Sequence, residues 1–241
     1  MPTVIPVPPP RSEPELLARA RQIAGLNLAQ LASRVNQPVP ASLCTAKGWV
    51  GQLIELCLGA SAGSRPEPDF ELVGVELKTV PVNQAGRPLE STYVCTVPLT
   101  GNTGLEWETS WVRRKLSRVL WVPVEAEPDI PLAQRRVGMA LLWSPNPQEA
   151  AILQQDWEEL MDLIVTGQLD QVSARHGTFL QIRPKAANRF ALCTSFDENG
   201  APTETLPRGF YLRTRFTRDI LERHYQLADK SLNSPPLTRG I

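Results

Sequence analysis

Four residues able to handle phosphate and metal chemistry fall close together in the first third of the chain: Glu55, Asp69, Glu76 and Lys78. Glu76 and Lys78 are two apart on an alternating stretch, so a strand places both on one face, with Val75, Leu77 and Thr79 on the other. An exposed ion pair at a sheet edge is the simpler reading of such a pair. Asp69 just ahead of the strand and Glu55 upstream support a second one. Three carboxylates converging beside one ammonium offer hard oxygen ligands suited to Mg²⁺, and a lysine that orients or polarises an attacking water. The corresponding chemistry is hydrolysis of a phosphodiester, whose developing negative charge must be neutralised and whose leaving oxygen must be stabilised.

The elements that must position these groups are legible in outline. Pro68–Thr79 reads as the strand that carries them. A helix from about Trp49 to Leu58 is apolar almost all round, with Gln52 and Glu55 as its exceptions. A carboxylate on such a helix requires a partner, either an arginine at the rim or a metal. The small-residue loop Gly59–Ser64 then leads into the Asp69 strand. Upstream, Met1–Arg11 is proline-rich and extended, Ser12 and Glu15 open one helix, and Asn27 caps a second that Pro38 and Pro40 prevent from continuing. Downstream, Thr92–Val97 alternates like a neighbour of the catalytic strand.

Thr109 and Ser110 can cap a helix carrying the basic run Trp111–Arg118, in which Lys115 is the favoured phosphate contact. Val119–Glu125 and Val137–Trp143 read as strands whose tryptophans fill core. Asn146 caps a long helix ending near Val165, with Asp156, Glu158 and Glu159 assigned to its solvent face. A strand over Phe179–Arg183 runs into the loop Pro184–Asn188. That loop presents Arg183 and Lys185 side by side, as either an ordinary charged loop or a pair of donors for guanine O6 and N7 in a DNA major groove. Leu206–Arg213 forms a second loop turning at Gly209 and carrying Tyr211. A final helix over Thr217–Leu227 precedes a disordered tail, 228–241.

At 241 residues the chain can bury a sizeable core, as one large domain or two small lobes. Its formal net charge of +0 excludes a protein held on nucleic acid by bulk charge, so DNA contact must come from local patches, with weak nonspecific binding at physiological salt and a loading partner. The four cysteines are scattered and suit buried free thiols, not a zinc site or disulfide framework. The N-terminus lacks a leader pattern and no run reaches membrane-spanning length, so the expectation is a cytoplasmic protein. With no evident dimerisation stripe, it is expected to be a monomer.

Several blocks, in order, resemble the MutH family of DNA mismatch repair endonucleases: Lys47-Gly48-Trp49, Leu58–Ser64, Gly74–Thr79, Pro98–Asn102, Val119–Glu125, Ile130–Gly138, Leu141–Asn146, Ala174–Gly177, Gln181–Asn188 and Leu206–Leu212. The likeness runs from about residue 12 to Leu227 and implies an α/β restriction-endonuclease-like fold, with a mixed central sheet, flanking helices and two lobes about a DNA cleft. It also implies Mg²⁺-dependent nicking of the unmethylated strand, 5′ to the G of hemimethylated GATC, once MutL responds to MutS at a mismatch. The matching motifs make Asp69 and Glu76 metal ligands; on coordination chemistry alone, the adjacent Leu77 backbone carbonyl could complete the set. They make Lys78 the catalytic lysine and Glu55 an additional acid for a possible second metal. They also imply DNA contacts for Arg183, Lys185 and Tyr211, the tyrosine helping to sense adenine methylation; Lys47 and, from its basic run, Lys115 are further candidate DNA contacts. Two alternatives stay open at this point: a stand-alone GATC restriction endonuclease, and a noncatalytic methylation-sensing DNA-binding module.

Overall fold

The most apolar strand lies at the centre. Val119–Glu125 is buried on both faces, as a run of Val, Leu and Trp with one proline requires. In the computed structural model, which describes residues 7–43, 46, 48–63, 65–185 and 190–232, three helices come first: α1 (Glu13–Ile23), α2 (Leu28–Arg34) and α3 (Trp49–Leu58). The side chains of Ser12 and Asn27 cap the first two, as their sequence position predicts. The strand carrying Glu76 and Lys78 is β1 (Glu76–Val82), followed by β2 (Thr92–Thr96), the short helix α4 (Trp111–Leu116), and the central strand β3 (Val119–Glu125). Then come β4 (Leu141–Trp143), α5 (Pro147–Val165), β5 (Leu180–Pro184), the hairpin β6 (Cys193–Phe196) and β7 (Pro202–Thr205), β8 (Arg208–Leu212) and α6 (Thr214–Leu232).

β1, β3 and β4 form a mixed sheet, with β1 parallel and β4 antiparallel to β3. Leu120, Val122 and Val124 of β3 point into a core built with α1, α2 and α3. Val119 and Trp121, alternating with them, point into a second core with α5, α6 and the sheet β2-β8-β5. The central sheet thus separates two hydrophobic cores, and β1 touches both: Leu77 faces the first, Val80 and Val82 the second.

Several expectations change, and the Leu206–Arg213 loop expected to turn at Gly209 is instead the strand β8, with Gly209 paired to Thr96 and Arg183. Thr92–Thr96 does not flank β1; it pairs antiparallel with β8 in the second sheet, where Val94 packs in the second core. The strand expected from Pro68 begins only at Glu76. Residues Glu71–Val73 make a 3₁₀ turn, and Gly74, in the left-handed region at φ 65°, folds Phe70 back onto Val75. Strand structure over Val137–Trp143 is confined to β4 and a bridge at Val137. The final helix also runs on to Leu232, five residues beyond its expected end, while 233–241 lie outside the described residues.

Candidate active site

The Gly74 turn brings the acids together. Asp69, placed before the turn, accepts the Leu77 backbone N–H at 2.7 Å through Oδ2, which locks it against the start of β1. Glu76, on the same strand, is 4% exposed and holds two ammonium partners: Lys78 Nζ lies 2.7 Å from Oε1 and Lys115 Nζ 2.8 Å from Oε2. Lys115 also donates to the Glu67 carbonyl at 2.8 Å, tying α4 to the loop ahead of Asp69. Sequence reasoning placed Lys115 on a basic helix face as a phosphate contact. Instead it turns inward onto Glu76, and it is Arg113 and Arg114 that are exposed on that helix, Arg114 stacked on Trp111.

Glu55 comes from α3, whose Leu53, Ile54 and Leu58 are buried and whose ends are set by left-handed glycines, Gly48 and Gly59. Arg19 of α1 donates to the Leu58 carbonyl at 2.9 Å and to the Pro8 carbonyl at 2.6 Å, fixing the far end of α3 and the N-terminal segment together. A β-carbon on Gly51 would stand 3.9 Å from both Glu55 Oε1 and Thr79 Oγ1, so the carboxylate meets β1 across that glycine.

The electrostatics describe a site short of positive charge. Burial, then the neighbouring Asp69 and Glu76 carboxylates, push Glu55 up to about 6 against the offset of Lys78 and Lys115. Burial and Glu76 likewise raise Asp69 above the usual carboxylate range. Among the described residues neither Glu55 nor Asp69 has an ion-pair partner within 4.0 Å, and no group of three or more His, Cys, Asp or Glu is already arranged as a metal cage. Half-buried carboxylates with raised proton affinity, oxygen donors only, and lysines on one acid alone are a donor set that fits a hard divalent cation.

A depression of about 830 Å³ opens beside these residues. Glu55, Leu77, Lys78 and Thr79 line one side, and Ser91, Tyr93, Arg183, Pro184 and Tyr211 the other. The second side is the outer face of the sheet β2-β8-β5, whose inner face carries Val94, Leu180, Phe210 and Leu212. Tyr93 and Tyr211 are register partners with rings edge to face, 5.4 Å between centroids. Lys185 Nζ sits 3.3 Å over the Tyr93 ring, and the Arg183 guanidinium lies 6.0 Å from the Tyr211 ring while donating to Ser91 Oγ at 2.6 Å. Burial and Tyr93 hold the Tyr211 phenol above its ordinary range, so it stays a protonated donor. A β-carbon on Gly209 would lie 2.9 Å from Tyr93 and 3.0 Å from Tyr211, so any larger residue there must displace these rings.

Glu55, Asp69, Glu76, Lys78 and Lys115 are therefore gathered at one end of β1, and Arg183, Lys185 and Tyr211 at a second patch across the depression. Lys47, and Ala186–Asn188 of the expected reading loop, lie outside the described residues. Tyr93 and Ser91 were not singled out from sequence. The signal for Tyr93 was its outward place in the alternation of β2.

Residues 58–156 match the family model described as "DNA mismatch repair enzyme MutH". The chain is 60% identical over 218 residues to the DNA mismatch repair protein MutH of Vibrio parahaemolyticus, covering 90% of this chain and 96% of that protein. The chain belongs to the MutH family. The MutH of Yersinia enterocolitica is 57% identical over 223 residues (92% and 98% covered), and that of Escherichia coli strain HS 58% over 217 residues (90% and 95%). The family-model match includes Asp69, Glu76, Lys78, Tyr93 and Lys115, while Glu55, Arg183, Lys185 and Tyr211 lie outside it. No described helix is long and apolar enough to cross a membrane.

Proposed function

We propose that this MutH-family mismatch repair endonuclease nicks the unmethylated strand of hemimethylated GATC sites in double-stranded DNA, by Mg²⁺-dependent hydrolysis, after activation by MutL acting for MutS. The observation that carries the reading is the shared depression, in which Glu55 and Lys78 face Arg183, Tyr93 and Tyr211. A strand whose bases meet the second sheet then has a phosphodiester beside the carboxylates.

Asp69, Glu76 and the Leu77 carbonyl would hold the Mg²⁺, with Glu55 available to a second ion. Bound there, the ion neutralises charge on the scissile phosphate and acidifies water. Lys78 orients the attacking water and contacts a phosphate oxygen, with Lys115 as a second ammonium behind it. The water oxygen bonds to phosphorus as the P–O3′ bond breaks. The proton the water gives up passes to solvent and O3′ takes one back as it leaves, giving a 5′-phosphate and a 3′-hydroxyl. Arg183 and Lys185 donate to guanine O6 and N7, and Tyr211, braced by Tyr93, stands against adenine N6 where a methyl group changes the fit. Lys47, Arg113 and Arg114 contact backbone phosphates.

A cavity of about 830 Å³ has small-molecule dimensions. A duplex must lie across its mouth or part the two lobes that form its walls, and a partner stabilising the parted form would activate a monomer in the cytoplasm. Nicking assays on hemimethylated, unmethylated and fully methylated GATC duplexes, with and without MutL, test the proposal. Single-strand nicking stimulated by MutL and blocked by full methylation is expected. Double-strand cleavage without MutL would instead mark a restriction endonuclease, and binding without cleavage a noncatalytic module.

A further inference from the structure

Besides Glu149, which pairs with Arg223, one buried carboxylate stands apart from the catalytic cluster. Asp156 lies on α5 among Leu153, Trp157, Leu160 and Met161 and is only 3% exposed. The sequence pattern assigned it to the solvent face; the structure turns it inward. Burying a carboxylate is costly unless donors surround it. Here three consecutive backbone amides do so: Thr178 N–H at 2.7 Å to Oδ1, and Phe179 and Leu180 N–H at 2.6 and 2.8 Å to Oδ2.

Those amides are the entry to β5. The same corner is held from its other side by Arg213, which closes β8 and donates to the carbonyls of Ala174, His176 and Gly177 at 2.9, 2.8 and 3.1 Å. The Arg213 backbone N–H also donates to the Phe179 carbonyl at 2.8 Å. Between the two charged groups the chain turns at Gly177, φ 72°, where a β-carbon would collide with the Leu180 carbonyl 2.1 Å away. Carboxylate, guanidinium and glycine together leave β5 a single way to begin.

Arg183 follows Leu180 by three residues, about 10 Å along the strand, opposite Gly209 in the register. A slip of one residue would move it from the outer to the inner face of the sheet. We infer that Asp156, with Arg213, is a positioning residue for sequence discrimination, fixing the register and depth at which β5 presents Arg183 and Lys185. It touches neither DNA nor the reacting atoms. This rests on the proposal that Arg183 and Lys185 read base edges.

The test uses the full chain with Mg²⁺, on duplexes carrying GATC or the same site with G replaced by A. Asp156→Asn keeps the shape but sets an amide N–H₂ against the amides, and Arg213→Gln loosens the corner while leaving the buried carboxylate in place. For each, kcat and KM on both duplexes and the melting temperature are measured, with Arg183→Ala alongside. The inference expects the ratio of kcat/KM between the two sites to fall by about tenfold or more, the worth of one base contact. It expects kcat on GATC at saturating DNA to stay within about threefold of the parent, well below the melting temperature. A variant that melts lower yet keeps full discrimination overturns it. If Asp156→Asn does not fold, Arg213→Gln decides by the same ratio. If Arg183→Ala loses discrimination while both corner variants keep it, this inference alone fails. If Arg183→Ala also discriminates normally, the base-reading proposal fails and takes the inference with it.

Discussion

Replacing Glu55 by glutamine should stabilise the protein at pH 8 in a chelator. In the folded chain its carboxyl is pushed up to about 6, from an ordinary 4.5, first by burial and then by Asp69 and Glu76. A raised folded value means that the folded state holds this proton more tightly than the unfolded one. The stabilisation from that proton is complete below about pH 4.5 and is lost as pH rises through about 6, above which the ionised group opposes folding. Raising the carboxyl from 4.5 to about 6 corresponds to about 2 kcal/mol, which halves to about 1 kcal/mol for a side chain partly open to solvent. For a chain of this length that is about 2–4 °C in melting temperature. Glutamine keeps the shape and removes the charge. Melting curves in EDTA should therefore show a gap in favour of Glu55→Gln that is small at pH 5 and full at pH 8. In Mg²⁺ the gap should narrow, because a cation held by Asp69 and Glu76 also offsets the Glu55 charge, a gain the glutamine variant does not share. Equal melting at pH 8 in EDTA, or a less stable variant there, would refute the charge-deficient picture of the site.

Further expectations concern the two sides of the depression. Lys78→Ala should abolish Mg²⁺-dependent nicking while leaving GATC binding largely intact in a gel-shift assay; substantial residual cleavage would remove Lys78 from the chemistry. Lys185→Ala should weaken discrimination for GATC by about 1–3 kcal/mol, with a smaller loss on random duplex, whereas equal losses would make it a phosphate contact. Gly209→Ala should force the Tyr93 and Tyr211 rings apart and blunt discrimination between methylated and unmethylated adenine, measured as relative nicking rates. Burial pushes the Cys95 thiol up to about 12, so in the folded protein at pH 8 it should resist alkylation that proceeds readily in denaturant, as mass spectrometry of the peptide would report.

The grouping of the charged residues was more legible in the sequence than the topology. Glu76 and Lys78 are two apart on one strand and Glu55 interrupts an apolar helix, so local periodicity put the first two on one face and marked the third as needing a partner, while leaving an ordinary ion pair and a metal site both open. Asp69 was legible as an acid near that strand, yet not how it arrives, because a left-handed Gly74 folding the chain back leaves no periodic trace. Pairing between strands distant in sequence is settled by packing: Thr92–Thr96 has the alternation of any half-buried strand, and nothing local tells it to choose β8 over β1. Asp156 and Lys115 were misplaced for a related reason. A charged residue on a helix is ordinarily solvated, and the three amides and the Glu76 carboxylate that make burial tolerable come from elements far along the chain.

The most direct test is a structure of the protein with Ca²⁺ and a short hemimethylated GATC duplex, Ca²⁺ standing in for the catalytic ion without supporting turnover. The account predicts a cation bound by Asp69, Glu76 and the Leu77 carbonyl at a backbone phosphate, with Arg183 and Lys185 in the major groove of the same site. A cation bound away from those carboxylates, or DNA seated on a face remote from the depression, would contradict it.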